Sequence, residues 1–130
     1  MRDLKDGIRA HVRIDWNGHV HKRFRGSNAD ERYATEVAVL KVLEQRGCPY
    51  TPRLLEEHPE ELYFVSSNCG SPVPDLSVAK AKELFAELER DYGVRHGDAE
   101  ARNVTYSAKL GRFCIIDFEI EIGRASCRER

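Results

Sequence analysis

The chain is short of most features that would assign it a class at once. No run of apolar residues approaches the length of a membrane span, and Met1-Arg2-Asp3-Leu4-Lys5-Asp6 opens without the apolar stretch of a signal peptide. No membrane is expected as a partner. No charge dominates either: 21 basic residues face 22 acidic ones, a formal net charge of -1, so no broad cationic field invites nucleic acid. The four cysteines, Cys48, Cys69, Cys114 and Cys127, show no CxxC spacing, which disfavours zinc and a disulfide framework. A reduced, cytoplasmic setting is the expectation. At 130 residues one modest core is available, burying roughly two thirds of the unfolded surface. Partners must therefore be argued from a site.

What is present reads as ordered α+β structure. From Ile8 to Phe24 apolar and polar residues alternate around Asn17-Gly18, which predicts a two-stranded ribbon. The register that places one apolar set on one face pairs Ala10 with Phe24, Val12 with Lys22 and Ile14 with Val20. That puts Lys22 on the inner face. A helix follows from Ala29 to Arg46, with Asn28 and Glu31 at capping-box spacing and Gly47 and Pro49 ending it. Tyr33, Glu36, Leu40 and Leu43 fall on its inner stripe, so Glu36 points inward and needs a cation. Lys22 is the available one.

Leu54-Leu55 and 62–65 read as short strands around an acidic turn, Glu56 to Glu61. Asn68-Cys69-Gly70-Ser71-Pro72 then breaks the pattern, as a linker between two lobes would. A second helix runs from Ser77 to Tyr92, with Ala81, Leu84, Phe85, Leu88 and Tyr92 on one face. The last ribbon, Asn103 to Ser107 and Arg112 to Asp117, turns at Lys109-Leu110-Gly111. With residue 110 as its centre, Asn103 and Asp117 stand side by side. Cys48, Cys69 and Cys114 read as small core residues, His19 and His21 as an exposed hairpin edge, and Trp16 with Glu56, Glu57, Glu60 and Glu61 as surface.

The final residues 122–130, IGRASCRER, have no apolar period, and they back-translate to a string resembling a common sequencing adapter. They are expected to be foreign, with natural sequence ending near Ile120 or Glu121. The division expected is one domain over 1–121, its N-lobe about 1–67 and its C-lobe about 71–121, with 122–130 as a tail.

Lys22, Glu36, HGDAEARN (96–103) and IIDFE (115–119) together resemble the protein-kinase-like superfamily, across nearly the whole chain to residue 121. With Gly97 in place of the usual arginine, the HGD form is closer to atypical RIO-type kinases, to aminoglycoside and choline kinases, and to small bacterial kinase-like domains. The resemblance implies a minimal two-lobed kinase-like fold: a small antiparallel sheet and one helix, then a reduced C-lobe. It implies ATP, Mg²⁺ and a hydroxyl acceptor on protein or small molecule. Carried over residue by residue, Asp98 would be the catalytic base, and Asn103 and Asp117 the metal ligands. Lys22 would neutralise the α and β phosphates, with Glu36 orienting it. His96 is expected to brace its loop rather than do chemistry.

Two departures stand out. The residues ahead of Lys22 hold only Gly7 and Gly18, with no glycine-rich phosphate loop, and Glu119 stands where most protein kinases carry glycine. A non-catalytic nucleotide-binding module, or an interaction domain without nucleotide, are the alternatives.

Overall fold

The computed structural model describes residues 2–6 and 9–120, with side chains from Arg9 onward. The tail at 122–130 and Gly7 lie outside the described residues. Strands β1 (Arg2–Asp6), β2 (Ala10–Ile14) and β3 (Val20–Phe24) lead into helix α1 (Ala29–Gln45); β4 (Leu54–His58), β5 (Tyr63–Ser66) and β6 (Ser71–Pro72) follow. Helix α2 (Val78–Tyr92) then precedes β7 (Val104–Ser107) and β8 (Arg112–Ile115). Two antiparallel sheets result, ordered β1-β2-β3-β5-β4 and β6-β7-β8. Among the described residues, no helix is long and apolar enough to cross a membrane.

The β2–β3 hairpin has the register that its alternation demands, Ala10 opposite Phe24, Val12 opposite Lys22 and Ile14 opposite Val20. Asp15 fixes the turn: its Oδ1 accepts the Asn17 and His19 amides, while Gly18 takes a positive φ of 81°. The inner face of this sheet packs on α1 through an aromatic trio. Phe24 meets Tyr33 edge-on at 5.7 Å between ring centres and lies 5.8 Å from Phe64. Leu40 and Leu43 are fully buried beneath, each contributing about 1.5–3 kcal/mol by leaving water.

Several local expectations are revised. Asn28 does not cap α1 through its side chain; it adopts a left-handed backbone, φ 55°, and its carbonyl accepts the Arg32 amide instead. The acidic stretch is not all turn, because Glu56, Glu57 and His58 belong to β4 and only Pro59–Glu61 forms a short 3-10 turn. His21 is not on an exposed edge: β3 is an interior strand, and its imidazole bridges Tyr63 and Asp15. Trp16, by contrast, is 91% exposed at the hairpin tip.

The linker does more than connect. Ser71 and Pro72 pair with Tyr106 and Thr105, so the chain joins the second sheet as soon as it leaves the first. A Cβ on Gly70 would lie 2.0 Å from the Tyr106 carbonyl oxygen, and its φ is +93°; glycine is required twice over. Ser77 caps α2 by accepting the Lys80 amide at 3.0 Å, and Gly93 closes it in the left-handed conformation. Ala81, Phe85 and Leu88 are the buried face of α2, with Leu84 and Tyr92 half-buried beside them. Cys48, Cys69 and Cys114 are buried and free.

Candidate functional site

Between the sheets opens a cleft of about 700 Å³, within the range of small-molecule sites. Val12, Ile14, Val20 and Phe64 line its upper wall, and Lys22, Glu36, Asp98, Asn103 and Asp117 all reach it. All five residues singled out from the sequence thus face one space.

Lys22 is the centre of the floor. β3 delivers it inward, where it is 8% exposed; its Nζ donates to Glu36 Oε1 at 2.7 Å, Asp117 Oδ1 at 2.7 Å and Glu119 Oε2 at 2.9 Å. Burial alone would push this ammonium down, but the three carboxylates outweigh it and hold its pKa above the ordinary lysine value. Glu36, 2% exposed on α1, goes the same way for the opposite reason. Burial, abetted by Asp117, outweighs the pull of Lys22 and raises its pKa above the usual glutamate value. Lys22 is thus shared among three carboxylates, the third of which, Glu119, also meets two arginines. The other oxygen of Glu36 accepts the Phe118 amide at 3.0 Å, tying α1 to the segment after β8.

The register of the β7–β8 ribbon differs from expectation by one residue. Val104 pairs with Ile115 and Ser107 with Arg112, and the Ile116 amide donates to the Asn103 carbonyl. Asn103 therefore stands opposite Ile116, not beside Asp117. The cause is a four-residue loop, 108–111, closed by the Gly111 amide on the Ser107 carbonyl and the Leu110 amide on Ser107 Oγ. Asp117 reaches the cleft by another device: its φ of 71°, unusual for a residue other than glycine, turns the chain out of the strand toward Lys22.

The HGD loop is held by its histidine. His96, buried, donates from Nε2 to the Ile116 carbonyl at 2.9 Å and accepts the Asp98 amide at Nδ1. One nitrogen donating and the other accepting requires the neutral ring. Burial, the largest influence, holds its pKa below the ordinary histidine value despite the nearby carbonyl and carboxylates. Gly97 is compelled by space, since a Cβ there would lie 2.0 Å from the Ile120 carbonyl oxygen. Asp98 presents Oδ2 to Arg102 at 2.6 Å and to the Asn103 amide at 3.1 Å; Asn103 Nδ2 also donates to the Asp98 carbonyl at 2.8 Å. That amide fixes Asp98 in place.

Glu36, Asp117 and Glu119 bring one oxygen each within 4.8 Å of one another, and hard oxygen donors of this kind suit Mg²⁺. The donor set fits such an ion, with Lys22 Nζ now bonded to all three residues. Two residues at this floor gave no signal as site residues in the sequence. Arg32, 6% exposed on α1, donates Nη1 to Glu119 Oε1 at 2.9 Å, and Arg9 Nη2 lies 3.4 Å from the same oxygen. Arg32 stands one helical turn before the inward Glu36 on α1.

No protein-family model matches the chain, and no curated protein matches it. Among solved structures it is similar to the PknI kinase domain of Mycobacterium tuberculosis, in a cysteine-to-alanine mutant, with a TM-score of 0.62 and 17% identity. The match covers 93% of this chain and 59% of that one, so the chain spans less than two thirds of the length of the chain it resembles. The fold is thereby a minimal two-lobed kinase-like α+β fold, with a five-stranded sheet and one helix above the cleft and a reduced lobe below it.

Proposed function

We propose that the chain is a phosphotransferase that uses ATP and Mg²⁺ to transfer a γ-phosphoryl group to a hydroxyl on a protein or small molecule. The observation that carries this reading is the buried Lys22, bonded at 2.7 Å to both Glu36 and Asp117 in a cleft that also holds Asp98 and Asn103. An ammonium so placed neutralises α and β phosphates, and Glu36 keeps it aimed. Asp117 and Asn103 Oδ1 would hold Mg²⁺; when bound, that ion offsets charge developing on the phosphate oxygens. Asp98 accepts the proton of the acceptor hydroxyl, its carboxylate positioned by the Asn103 amide. The apolar wall of Val12, Ile14, Val20 and Phe64 suits an adenine ring.

One observation favours a second reading, nucleotide binding without transfer: Arg102 donates to Asp98 Oδ2 at 2.6 Å, engaging the oxygen that a base would use. Turnover separates the two. Phosphate transfer from ATP with Mg²⁺, measured over a panel of peptide, sugar and aminoglycoside acceptors, should be lost in Asp98→Asn while nucleotide affinity is kept. Unchanged transfer in Asp98→Asn contradicts the base assignment. Bound ATP with no transfer by the unaltered chain favours the second reading.

A further inference from the structure

Glu119 is held as a bound anion would be held. Its side chain is 9% exposed; Oε1 accepts Arg32 Nη1 at 2.9 Å and lies 3.4 Å from Arg9 Nη2, while Oε2 accepts Lys22 Nζ at 2.9 Å. Three cations from separate stretches of the chain converge on one carboxylate: Arg9 just before β2, Lys22 on β3 and Arg32 on α1. Arg32 is a fixture, because its guanidinium also donates to the backbone carbonyls of Ser27, Arg9 and Arg25. A buried guanidinium needs a counter-charge, and Glu119 supplies it. Yet Glu119 belongs to the irregular stretch after β8, so its side chain can leave without breaking a sheet ladder. It also lines the cleft, as does Arg9.

We propose that Arg9, Lys22 and Arg32 form a phosphate cradle that replaces the missing glycine-rich loop, and that Glu119 is an internal stand-in for phosphate that an incoming polyphosphate displaces. The proposal rests on the nucleotide reading of the cleft and adds to it two cations and a built-in competitor. Charge balance supports the exchange. Among the described residues the cluster sets three cations against the carboxylates of Glu36, Asp117 and Glu119, so withdrawal of Glu119 from the cleft lining leaves a positive surplus behind it. A phosphate restores the balance and returns a counter-charge to Arg32. Glu119 then sets a threshold: weak or singly charged anions do not displace it, and a polyphosphate does.

The test is calorimetric titration of the full chain with sodium tripolyphosphate and with ATP, first in EDTA and then in excess Mg²⁺, for wild type, Glu119→Gln and Arg9→Gln. Glu119→Gln keeps the shape and removes the competing charge, so both anions should bind about three- to tenfold tighter in EDTA. Arg9→Gln, a change at a half-exposed side chain that should leave the fold intact, should weaken both by about the same factor. Equal or weaker binding by folded Glu119→Gln overturns the proposal, as does unchanged affinity in Arg9→Gln should the first variant fail to fold. If Glu119→Gln loses only the Mg²⁺-dependent binding, Glu119 is a metal ligand and the stand-in is refuted. Wild type that binds ATP with Mg²⁺ beside an unaltered Glu119→Gln sinks this inference alone. If neither protein, folded by circular dichroism, binds either anion, the nucleotide reading falls with it.

Discussion

The cleft contains two acid–base contacts of similar length in opposite surroundings. Lys22 and Glu36 meet at 2.7 Å with side chains 10% and 3% exposed; Arg102 and Asp98 meet at 2.6 Å with side chains 67% and 22% exposed. Distance alone would rank them equal. The first pair cannot be opened cheaply, because either charge left behind would be buried without its partner. The second can, because water and salt replace an exposed guanidinium at little cost. That difference suits the proposed chemistry. The groups that set the electrostatic floor are locked by β3 and α1, whereas the carboxylate proposed as base, positioned by the Asn103 amide, is paired with an exposed arginine able to swing away.

Breaking the buried side of this comparison should produce the largest effect. Lys22→Met leaves Glu36, Asp117 and Glu119 without their shared cation and should cost about 3–5 kcal/mol in a urea titration. Stability within about 0.5 kcal/mol of wild type would show that the cluster is not the anchor of the floor. Gly97→Ala comes next. Its methyl would press on the Ile120 backbone, with an expected loss of about 1–3 kcal/mol and a displaced Asp98; an unchanged thermal melt would contradict the close approach.

His96 sharpens the comparison through pH. With its folded pKa below the ordinary value, the neutral ring favours the folded state, and that contribution is complete above the usual histidine range. It is lost as pH falls through the depressed value, when the unfolded chain takes up the proton first. Melting temperature should therefore drop on acidification below about pH 6.5, and His96→Gln should flatten that limb. The same acid slope in His96→Gln would assign the effect to other groups. Smallest of all is Arg102→Ala, expected to change stability by less than about 1 kcal/mol, and a larger loss would mean that the pair is structural.

Much of this floor was legible because two local patterns agree. Alternation around Asn17-Gly18 permits one register with a single apolar face, and that register turns Lys22 inward; the helical stripe through Tyr33, Leu40 and Leu43 turns Glu36 to meet it. Elsewhere the residue pattern does not discriminate between two registers. A loop of four residues and a turn centred on Leu110 suit the same Lys109-Leu110-Gly111 sequence, and the difference moves Asn103 from Asp117 to Ile116. The left-handed turn at Asp117 leaves no mark in residue type. Arg9 and Arg32 escaped for another reason: surface arginines are common, and only the packed structure shows that Arg32 is buried and that both reach Glu119. Gly97 was visible as a departure from the usual arginine, but its cause, the Ile120 backbone, is a contact made across the fold.

The central claim is that Lys22, Glu36 and Asp117 form the floor of a nucleotide–magnesium site. Its most direct test is calorimetric titration of the folded chain with ATP, with and without Mg²⁺, alongside Asp117→Asn. Binding that strengthens with Mg²⁺ in the wild type and loses that dependence in Asp117→Asn is the result predicted. A well-folded chain that binds no ATP under either condition would contradict the claim and leave a kinase-like fold serving another purpose.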